Sequence, residues 1–345
     1  MIRRALFASL ALAPITIALH YVAHPSETVE FVLAAISLIP LAWLIGEATE
    51  HAAEHTGPGI GGFLNATFGN APELIIALIA VNDALTDVVR GSLTGSVVSN
   101  LLLVLGASLV AGGRGEVDRF SSFLSFGLIG FATALFLIPS VPSWGGDPDT
   151  HGLAQVSAVI SIVLLVVYVI VTWFSLRRHR TMHEAPGDDV DAWSLRGSLL
   201  VLGAATLVTA LVAEILVGSL EAFAEQVGLS DFFVSAVIVA IVGNAAEHGG
   251  AIVVASRGKI ALAAEIALSS AAQVAVFVIP AVALLSWLIE PLSLSFRPVE
   301  IAALAGSVGY TAFVLSGGRS SRGRGMALLA GYAVVVVGFY VAGER

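Results

Sequence analysis

Cysteine is absent from this chain of 345 residues, and charged side chains are scarce. The lack of cysteine excludes a disulfide framework and any metal site built from thiolates. Charged residues make up 12% of the sequence and hydrophobic residues 57%, whereas soluble domains are about 25% charged. Together with a mean hydropathy of +0.94, this composition is typical of a protein that crosses a membrane many times.

Apolar runs of about 20 residues recur along the chain, and each can cross a hydrocarbon core about 30 Å thick. We predict eleven transmembrane helices, near residues 5–22, 30–55, 59–82, 91–111, 123–140, 152–175, 197–218, 231–256, 260–289, 299–316 and 326–342. The first run is also compatible with a signal peptide, because Arg3 and Arg4 precede it and "YVA" at 21–23 resembles a cleavage site. Its length favours a membrane span.

Basic residues are distributed unevenly among the predicted loops. With the N-terminus inside, three of them fall on the outer side, namely Arg90, Arg297 and Arg345. Thirteen fall on the inner side: Arg3, Arg4, Arg114, Arg119, Arg177, Arg178, Arg180, Arg196, Arg257, Lys259, Arg319, Arg322 and Arg324. Because basic residues near span ends stay in the cytoplasm, we expect a cytoplasmic N-terminus and an external C-terminus.

A short motif occurs twice, as "GNAPE" at residues 69–73 and as "GNAAE" at residues 243–247. Each copy places a glutamate in the middle of an apolar run. Aligned without a gap, the copies also match in the spans that follow: Asn70 pairs with Asn244, Glu73 with Glu247, Ala77 with Ala251, Ser96 with Ser270, and Ser99 with Gln273. A duplication that only packs helices would explain the small residues, but not two buried acids.

The duplication predicts an all-α polytopic membrane protein of about eleven transmembrane helices. Its parts are an extra N-terminal helix (1–24), a first five-helix repeat (25–176), a cytoplasmic polar linker (177–195) and a second five-helix repeat (196–345). Because five is an odd number, corresponding helices cross the membrane in opposite directions, so the repeats are inverted. Transporters with inverted repeats hold their ion site near the bilayer midplane, beside interrupted helices.

Glycine and proline near both glutamates predict such interruptions. Gly69 and Pro72 are expected to break the third span, and Gly243, Gly249 and Gly250 the eighth. Backbone carbonyl groups freed by a break are tolerated in a membrane only where they line a cavity or meet a ligand. We therefore expect the broken helices to contribute to a binding site.

Glu73 and Glu247 are the candidate ion-binding acids. Asn70 and Asn244 lie three residues before them, which places each amide on the same helix face as its glutamate. Two buried carboxylates would repel each other, and a divalent cation would relieve that repulsion. Calcium takes 6–8 oxygen ligands, whereas magnesium prefers to retain water in a small octahedral shell.

Further oxygen donors lie on the fourth and ninth spans, and they are Ser96, Ser99, Asn100, Ser269, Ser270 and Gln273. Any single serine here is also explained by helix packing, so the argument depends on the pattern being repeated. A carboxylate pair that holds either a divalent cation or protons, with access alternating between two sides, is an exchanger. The residues alone do not distinguish protons from sodium as the counter-ion.

At these residues the chain resembles the calcium/proton exchanger (CAX) family of the cation/calcium antiporters. "TGPGIGGFLNATFGNAPELI" is similar to the first signature of that family and "IVGNAAEHGGAIVVA" to the second. The resemblance implies one extra helix before two inverted five-helix halves, and Ca²⁺ transport driven by a proton gradient. It implies Glu73 and Glu247 as the essential acids, with contributions from Asn70, Asn244, Ser96, Ser99, Ser270 and Gln273.

Further expectations concern the protein's surroundings. We expect a carrier of the cell membrane rather than of a vacuole or another organelle, with Ca²⁺ and H⁺ as substrates and no resident cofactor. The lipid bilayer is its expected partner. No nucleic acid is expected, and a homo-oligomer is compatible with the sequence.

Four other titratable residues are candidates for proton transfer or gating. Glu50 matches an acid of the family suited to that role, and Glu214 lies well inside its span. Glu221 and His248 complete the set, although a histidine bonded to a backbone carbonyl would explain His248 equally well.

Two alternative functions remain open. A sodium/calcium exchanger would share the same architecture. His51, Glu54 and His55 also form an H-x-x-E-H pattern, which occurs in zinc metalloproteases. An intramembrane protease would leave both repeated motifs unexplained, and no clear third zinc ligand follows.

Overall fold

The computed structural model describes residues 2–179 and 193–343, which are almost entirely helical. Its main helices are α1 (Leu6–Ala23), α2 (Glu27–Phe68), α3 (Ala71–Asn82), α4 (Thr86–Gly112), α5 (Arg119–Ser143), α6 (His151–His179), α7 (Leu195–Gly218), α8 (Leu220–Val227), α9 (Asp231–Gly243), α10 (Ala245–Ser256), α11 (Ile260–Leu288), α12 (Pro298–Leu315) and α13 (Arg322–Gly343). Most of the predicted linker lies outside the described residues.

The multi-span helical architecture is confirmed. Within the described residues, nine helices are long and apolar enough to cross a membrane, or ten if α8 and α9, which meet at 109°, form one span. The number eleven is not confirmed. The third predicted span is divided between the end of α2 and the 12-residue α3, and the eighth is divided between α9 and α10.

Helix α2, which extends from Glu27 to Phe68, reverses direction between Ala53 and Gly61. A Cβ atom on Gly61 would lie 2.7 Å from the carbonyl oxygen of Ala53. In a straight helix, residues eight positions apart are separated by about 12 Å. The chain therefore turns back between these two residues, where the sequence predicts the end of the second span.

The helices are interrupted at equivalent positions of the two motif copies. The first interruption separates α2 from α3 at Asn70 (φ −100°, ψ 15°), and the second separates α9 from α10 at Asn244 (φ −93°, ψ 8°). Pro72 lies in the first turn of α3, where its missing N–H group costs least. The second copy has no proline, and there Asn244 donates a side-chain hydrogen bond to the carbonyl oxygen of Ala240 at 2.9 Å. That bond competes with the backbone ladder.

Gly249 and Gly250 do not interrupt a helix, which corrects the expectation from sequence. Both residues lie inside α10, and a Cβ atom on either would meet no neighbouring atom within 4 Å. Glycine is tolerated inside a helix at a cost of about 1 kcal/mol relative to alanine, so a helix packed into a larger structure can contain it.

Each motif copy is followed by a helix with one wide, π-helical turn. These turns are Ser99–Val104 in α4 and Val274–Val278 in α11. In the alignment of the copies, residue 100 pairs with residue 274, so the two turns occupy nearly equivalent positions. Such turns are rare and occur frequently at functional sites.

Helices α4 and α11 form the interior of the bundle. In the most apolar 18-residue segment of each, 83% and 67% of residues are buried, compared with 17% in α13. Small side chains let α4 cross α9 closely: a Cβ atom on Gly95 would overlap the carbonyl oxygen of Ala236 and lie 2.8 Å from the Cβ atom of Ala240. This crossing brings the second motif copy against the span that follows the first copy.

A short antiparallel pair of strands ties two helix ends together. β1 (Gly115–Glu116) follows α4, and β2 (Arg319–Ser320) precedes α13. The Ser320 hydroxyl also donates to the carbonyl oxygen of Gly113 at 2.9 Å. The end of α4 is therefore fixed to the start of α13.

Replacement of Gly95 by alanine should destabilise the protein. The added methyl group has no space at the α4–α9 crossing, and such overpacking costs about 1–3 kcal/mol. We expect a melting temperature several degrees below wild type, measured in detergent by loss of the monodisperse chromatographic peak after heating.

Gly127→Ala is the matched control, because Gly127 lies inside α5 and a Cβ atom there would meet no other atom within 4 Å. It makes the same change in helix propensity and should melt at or slightly above the wild-type temperature. Equal melting temperatures for the two variants would contradict the close crossing.

Candidate functional site

Glu73 lies in the first turn of α3 and contacts the second motif copy. A Cβ atom on Gly243 would be 3.6 Å from Cγ and 3.7 Å from Oε1 of Glu73, so the carboxyl group of Glu73 lies against the second motif copy. Glu247, in the first turn of α10, is close enough to Glu73 for the two groups to interact electrostatically. The structure thus brings the two glutamates into one region of the interior.

Asn244 joins the second motif copy to α4. Its Nδ2 donates to the Ser96 hydroxyl at 2.9 Å, and its Oδ1 accepts from Nδ2 of Asn100 at 3.2 Å. All three side chains are buried. Buried amides are costly unless they are hydrogen-bonded, so these contacts fix the position of the helix interruption.

A further hydrogen bond leads from α4 towards Glu247. Asn100 donates to the Ser270 hydroxyl at 3.1 Å, and Ser270 lies near the Glu247 carboxyl group. In the first motif copy, Nδ2 of Asn70 donates to Oε1 of Gln273 at 3.0 Å. Each interrupted helix is therefore bonded to a span that belongs to the other copy.

Three oxygen atoms of this network are buried and have no hydrogen-bond partner among the described residues: Oε2 of Glu73, Oε2 of Glu247 and Oδ1 of Asn100. Leaving a buried polar atom unpaired costs about 1–3 kcal/mol. A cavity of about 10 Å³ borders Glu73, Ser96 and Gly243, and a space of 10–15 Å³ holds about one water-sized particle. These unpaired oxygen atoms and the small cavity are suited to binding a proton or a small cation.

The helix ends add further electrostatic terms. Both glutamates lie in the first turn of a helix, where the positive end of the helix dipole stabilises a carboxylate. The last carbonyl groups of α2 and α9 end at the same interruptions and have no partners within their helices. Carboxylate and carbonyl oxygens are hard ligands of the kind that calcium prefers.

Two serines on these spans bond within their own helices. Ser99 is buried and its hydroxyl donates to the carbonyl oxygen of Ser96 at 3.2 Å, while Ser269 donates to the carbonyl oxygen of Ile266. A hydroxyl oxygen that donates still has lone pairs with which to bind a cation.

The proton-linked candidates are dispersed. Glu50 and Glu221 are exposed, on α2 and α8. His248 is buried next to Glu247, and its Nε2 has no hydrogen-bond partner within the described chain. Glu214 lines a separate cavity and is not part of the central network.

That cavity, of about 690 Å³, lies among the end of α1, the start of α2, the end of α3 and the end of α7. Its titratable lining is predominantly acidic, comprising Glu27, Glu30, Asp83, Glu214, His20 and Tyr21. The His20 ring lies 3.0 Å from the Glu30 carboxylate. The last residues of α3 line this cavity, and the first turn of the same helix carries Glu73. Both the cavity and the central site carry acidic side chains.

The H-x-x-E-H residues do not form a metal site. His51 stacks on the Trp193 indole, with ring centroids 4.8 Å apart, and Nε2 of His55 lies 2.7 Å from the Trp193 carbonyl oxygen. Glu54 lies 3.5 Å from Nδ1 of His51. No group of three or more potential ligands arranged around a metal occurs in residues 2–179 and 193–343. Both histidines thus contact Trp193, which lies two residues before the start of α7. The protease alternative gains no support.

Asn100 is more central than its sequence position indicates. It was identifiable as an oxygen donor, but the residue paired with it in the second copy is Val274, so the repeat gives no signal there. The structure uses Asn100 to connect Asn244 with Ser270, and so to join spans of both copies.

Comparison with known proteins identifies the family and the fold. A family model described as sodium/calcium exchanger protein matches residues 26–177 and 197–341. The Ca(2+)/H(+) antiporter of Aphanothece halophytica is 36% identical over 97% of this chain and 95% of its own length. The Ca(2+)/H(+) antiporter ChaA of Bacillus subtilis (strain 168) is 39% identical over 92% of this chain and 93% of its own.

The solved structure of native YfkE has the same fold, with a TM-score of 0.83, 36% sequence identity, and coverage of 97% of this chain and 99% of that chain. The resemblance inferred from the two sequence signatures is therefore confirmed. Because the family model matches most of the sequence and the relatives align over nearly their whole length, the chain belongs to the sodium/calcium exchanger protein family.

Proposed function

We propose that this protein is a secondary antiporter that exchanges Ca²⁺ for H⁺, and that Glu73 and Glu247 bind calcium or protons in turn. One observation carries the proposal: two glutamates from the two motif copies lie in one interior region, beside a buried network of amides and hydroxyls. The relatives named Ca(2+)/H(+) antiporter support this function. They also favour a transporter over an enzyme.

Charge neutralisation explains why the two ions compete. Two ionised carboxylates in a buried region repel each other, and each loses hydration energy. One Ca²⁺ neutralises the pair, and so do two protons. An empty, doubly charged site is costly inside a membrane, so the loaded forms are the ones that change access from one side to the other. This constraint couples the two opposite flows.

The calcium ligands we propose come from four spans. They are Glu73, Glu247, Asn70, Asn244, Ser96, Ser99, Ser270 and Gln273, with Oδ1 of Asn100 added on the basis of its position in the network. Carbonyl oxygens at the helix interruptions complete a shell of 6–8 oxygens. Selectivity against Mg²⁺ then follows from the size and flexibility of that shell.

Alternating access in this protein would involve the two inverted halves, residues 25–176 and 196–345. Support comes from the family model, which matches one segment within each half, and from the interruptions at Asn70 and Asn244. The bonds Asn70–Gln273 and Asn244–Ser96 join these halves. Opening the site to the opposite side requires these bonds to exchange partners, so they help to determine the relative energy of the two states.

The proposal also assigns roles to residues that control the access of ions to the site. Glu214 would attract cations or transfer protons from the acidic cavity near the end of α3. Glu50 and Glu221 would act near opposite membrane surfaces, and His248 would modulate proton exchange at Glu247. We place the N-terminus in the cytoplasm and the C-terminus outside, in the cell membrane, on the distribution of basic residues.

Removal of either central acid should abolish exchange. Glu73→Gln and Glu247→Gln keep the size of the side chain but cannot supply negative charge, so neither variant can neutralise a bound calcium. We expect loss of pH-gradient-driven ⁴⁵Ca uptake in proteoliposomes, to below about one hundredth of the wild-type rate. Glu225→Gln, an exposed acid on α8, is the matched control and should retain transport. Normal uptake in either central variant would contradict the assignment.

Calcium affinity should fall as the pH falls. Protons occupy the same carboxylate oxygens, so each proton displaced by calcium lowers the apparent affinity about tenfold per pH unit in the range where the pair is protonated. The effect disappears at high pH, where both groups are ionised. Isothermal titration calorimetry in detergent over a pH series measures it, and a dissociation constant that does not vary with pH would rule out competition.

The counter-ion can be tested directly. Proteoliposomes should accumulate ⁴⁵Ca when only a pH gradient is imposed and sodium is absent. A sodium gradient at equal internal and external pH should drive little uptake. If the sodium gradient drives uptake equally well, the protein is a sodium/calcium exchanger of the same architecture.

A further inference from the structure

A pocket of about 460 Å³ lies where α4 ends and α13 begins, remote in sequence from both motif copies. It is lined by Gly112, Gly113, Arg114, Ser321, Arg322 and Gly323. Arg114 and Arg322 are exposed, and in the part of the chain that the structure describes their side chains form no ion pair or hydrogen bond. Two guanidinium groups therefore border a cavity without an acidic partner.

The backbone around the pocket is held in place. The strand pair β1–β2 joins its two sides, and Gly113 adopts a left-handed conformation (φ 77°) in which a Cβ atom would lie 3.9 Å from Nε of Arg322. Ser321 accepts a hydrogen bond from the backbone N–H of Arg324. The arginines thus project from a fixed turn rather than from a free loop.

The charge around the pocket is strongly positive. Segments 112–119 and 317–324 contain five arginines and two acids. One of the acids, Asp118, is engaged as the N-cap of α5, where it accepts from the N–H groups of Phe120 and Ser121. A Cβ atom on Gly112 would lie 2.7 Å from Ile260, so the start of α11, which follows Arg257 and Lys259, packs against the end of α4.

Two helices next to the pocket carry an arginine at the span end and an exposed apolar side chain one turn deeper. Phe123 is 76% exposed and follows Arg119 by four residues, and Met326 is 58% exposed and follows Arg322 by four. Residues at i and i+4 share a helix face. A charged group followed by apolar surface along one helix matches a molecule that has an anionic head and hydrocarbon chains.

We propose that this pocket binds the phosphate headgroup of an anionic phospholipid, whose acyl chains lie against Phe123 and Met326. Arg114 and Arg322 bind the phosphate oxygens as ion pairs, and the backbone N–H groups of Arg322 and Gly323, in the first turn of α13, are available to the same oxygens. Basic pockets between transmembrane helices bind anionic lipid headgroups in this way.

The general excess of basic residues at inner span ends does not account for this arrangement. That bias predicts arginines in a loop, but not two unpaired arginines facing one cavity where α4 ends and α13 begins. A free phosphate ion would bind the arginines but would make no contact with Phe123 and Met326. The lipid accounts for both features.

Native mass spectrometry of the detergent-purified full chain tests the proposal. Dioleoyl phosphatidylglycerol should bind the wild-type protein more tightly than dioleoyl phosphatidylcholine. Arg114→Gln and Arg322→Gln should each weaken phosphatidylglycerol binding about fivefold, and the double variant about 25-fold. Raising the salt concentration should weaken binding further, because exposed charges are screened.

Arg196→Gln is the matched control, since Arg196 is exposed at the start of α7 and does not line the pocket. It should bind phosphatidylglycerol as the wild type does, and all variants should share the wild-type melting temperature in lipid-free detergent. If the double variant does not fold, the two single variants still test whether the arginines bind the lipid. Unchanged binding in the pocket variants, equal loss in Arg196→Gln, or full displacement of the lipid by an equal concentration of inorganic phosphate would overturn the proposal.

Discussion

The repulsion between two carboxyl groups in a buried region is the constraint on which the rest of this structure depends. Glu73 and Glu247 are near enough to interact, and both lose hydration by burial, so the ionised pair is unstable without a bound positive charge. Placing each acid in the first turn of a helix reduces that instability without removing it. Because of the remaining repulsion, the pair of carboxylates requires bound positive charge. Either of two kinds of cation can supply that charge, so they can occupy the site in turn.

The asparagines determine how strongly the two halves of the molecule are held together at this centre. Asn70 and Asn244 interrupt their helices and bond across to α11 and α4. Each such bond is worth about 0.5–1.5 kcal/mol, which is enough to define a preferred arrangement but too little to prevent its exchange. The close α4–α9 crossing at Gly95 is a different kind of contact, because backbone atoms meet there and no side chain can rearrange to open it. Rigid and exchangeable contacts thus lie within two turns of each other on α4.

Sequence patterns identified the elements of the site better than its connections. Glycine and proline in the repeated motif predicted which helices would be interrupted, and the repeated Glu predicted which acids would face the interior, because burial restricts that residue type so severely. The position of the reversal of α2 beside Gly61 was anticipated from sequence, because the predicted second span ends at residue 55 and the third begins at residue 59. The importance of Asn100 followed from packing alone, as its aligned partner is valine. The contact of His51 and His55 with Trp193 needed long-range geometry, because local spacing equally suggested zinc.

The wide turns in α4 and α11 affect the directions in which the side chains of these spans point. A π-helical turn contains one residue more than an α-helical turn, and one residue corresponds to about 100° of rotation around the axis. Side chains on opposite sides of Ser99–Val104 are therefore out of phase with a regular helix. A regular helix of the same composition would turn either Ser96 or the deeper half of the span away from its present neighbours. The number of residues in this segment, as much as their identity, determines which groups meet at the centre of the molecule.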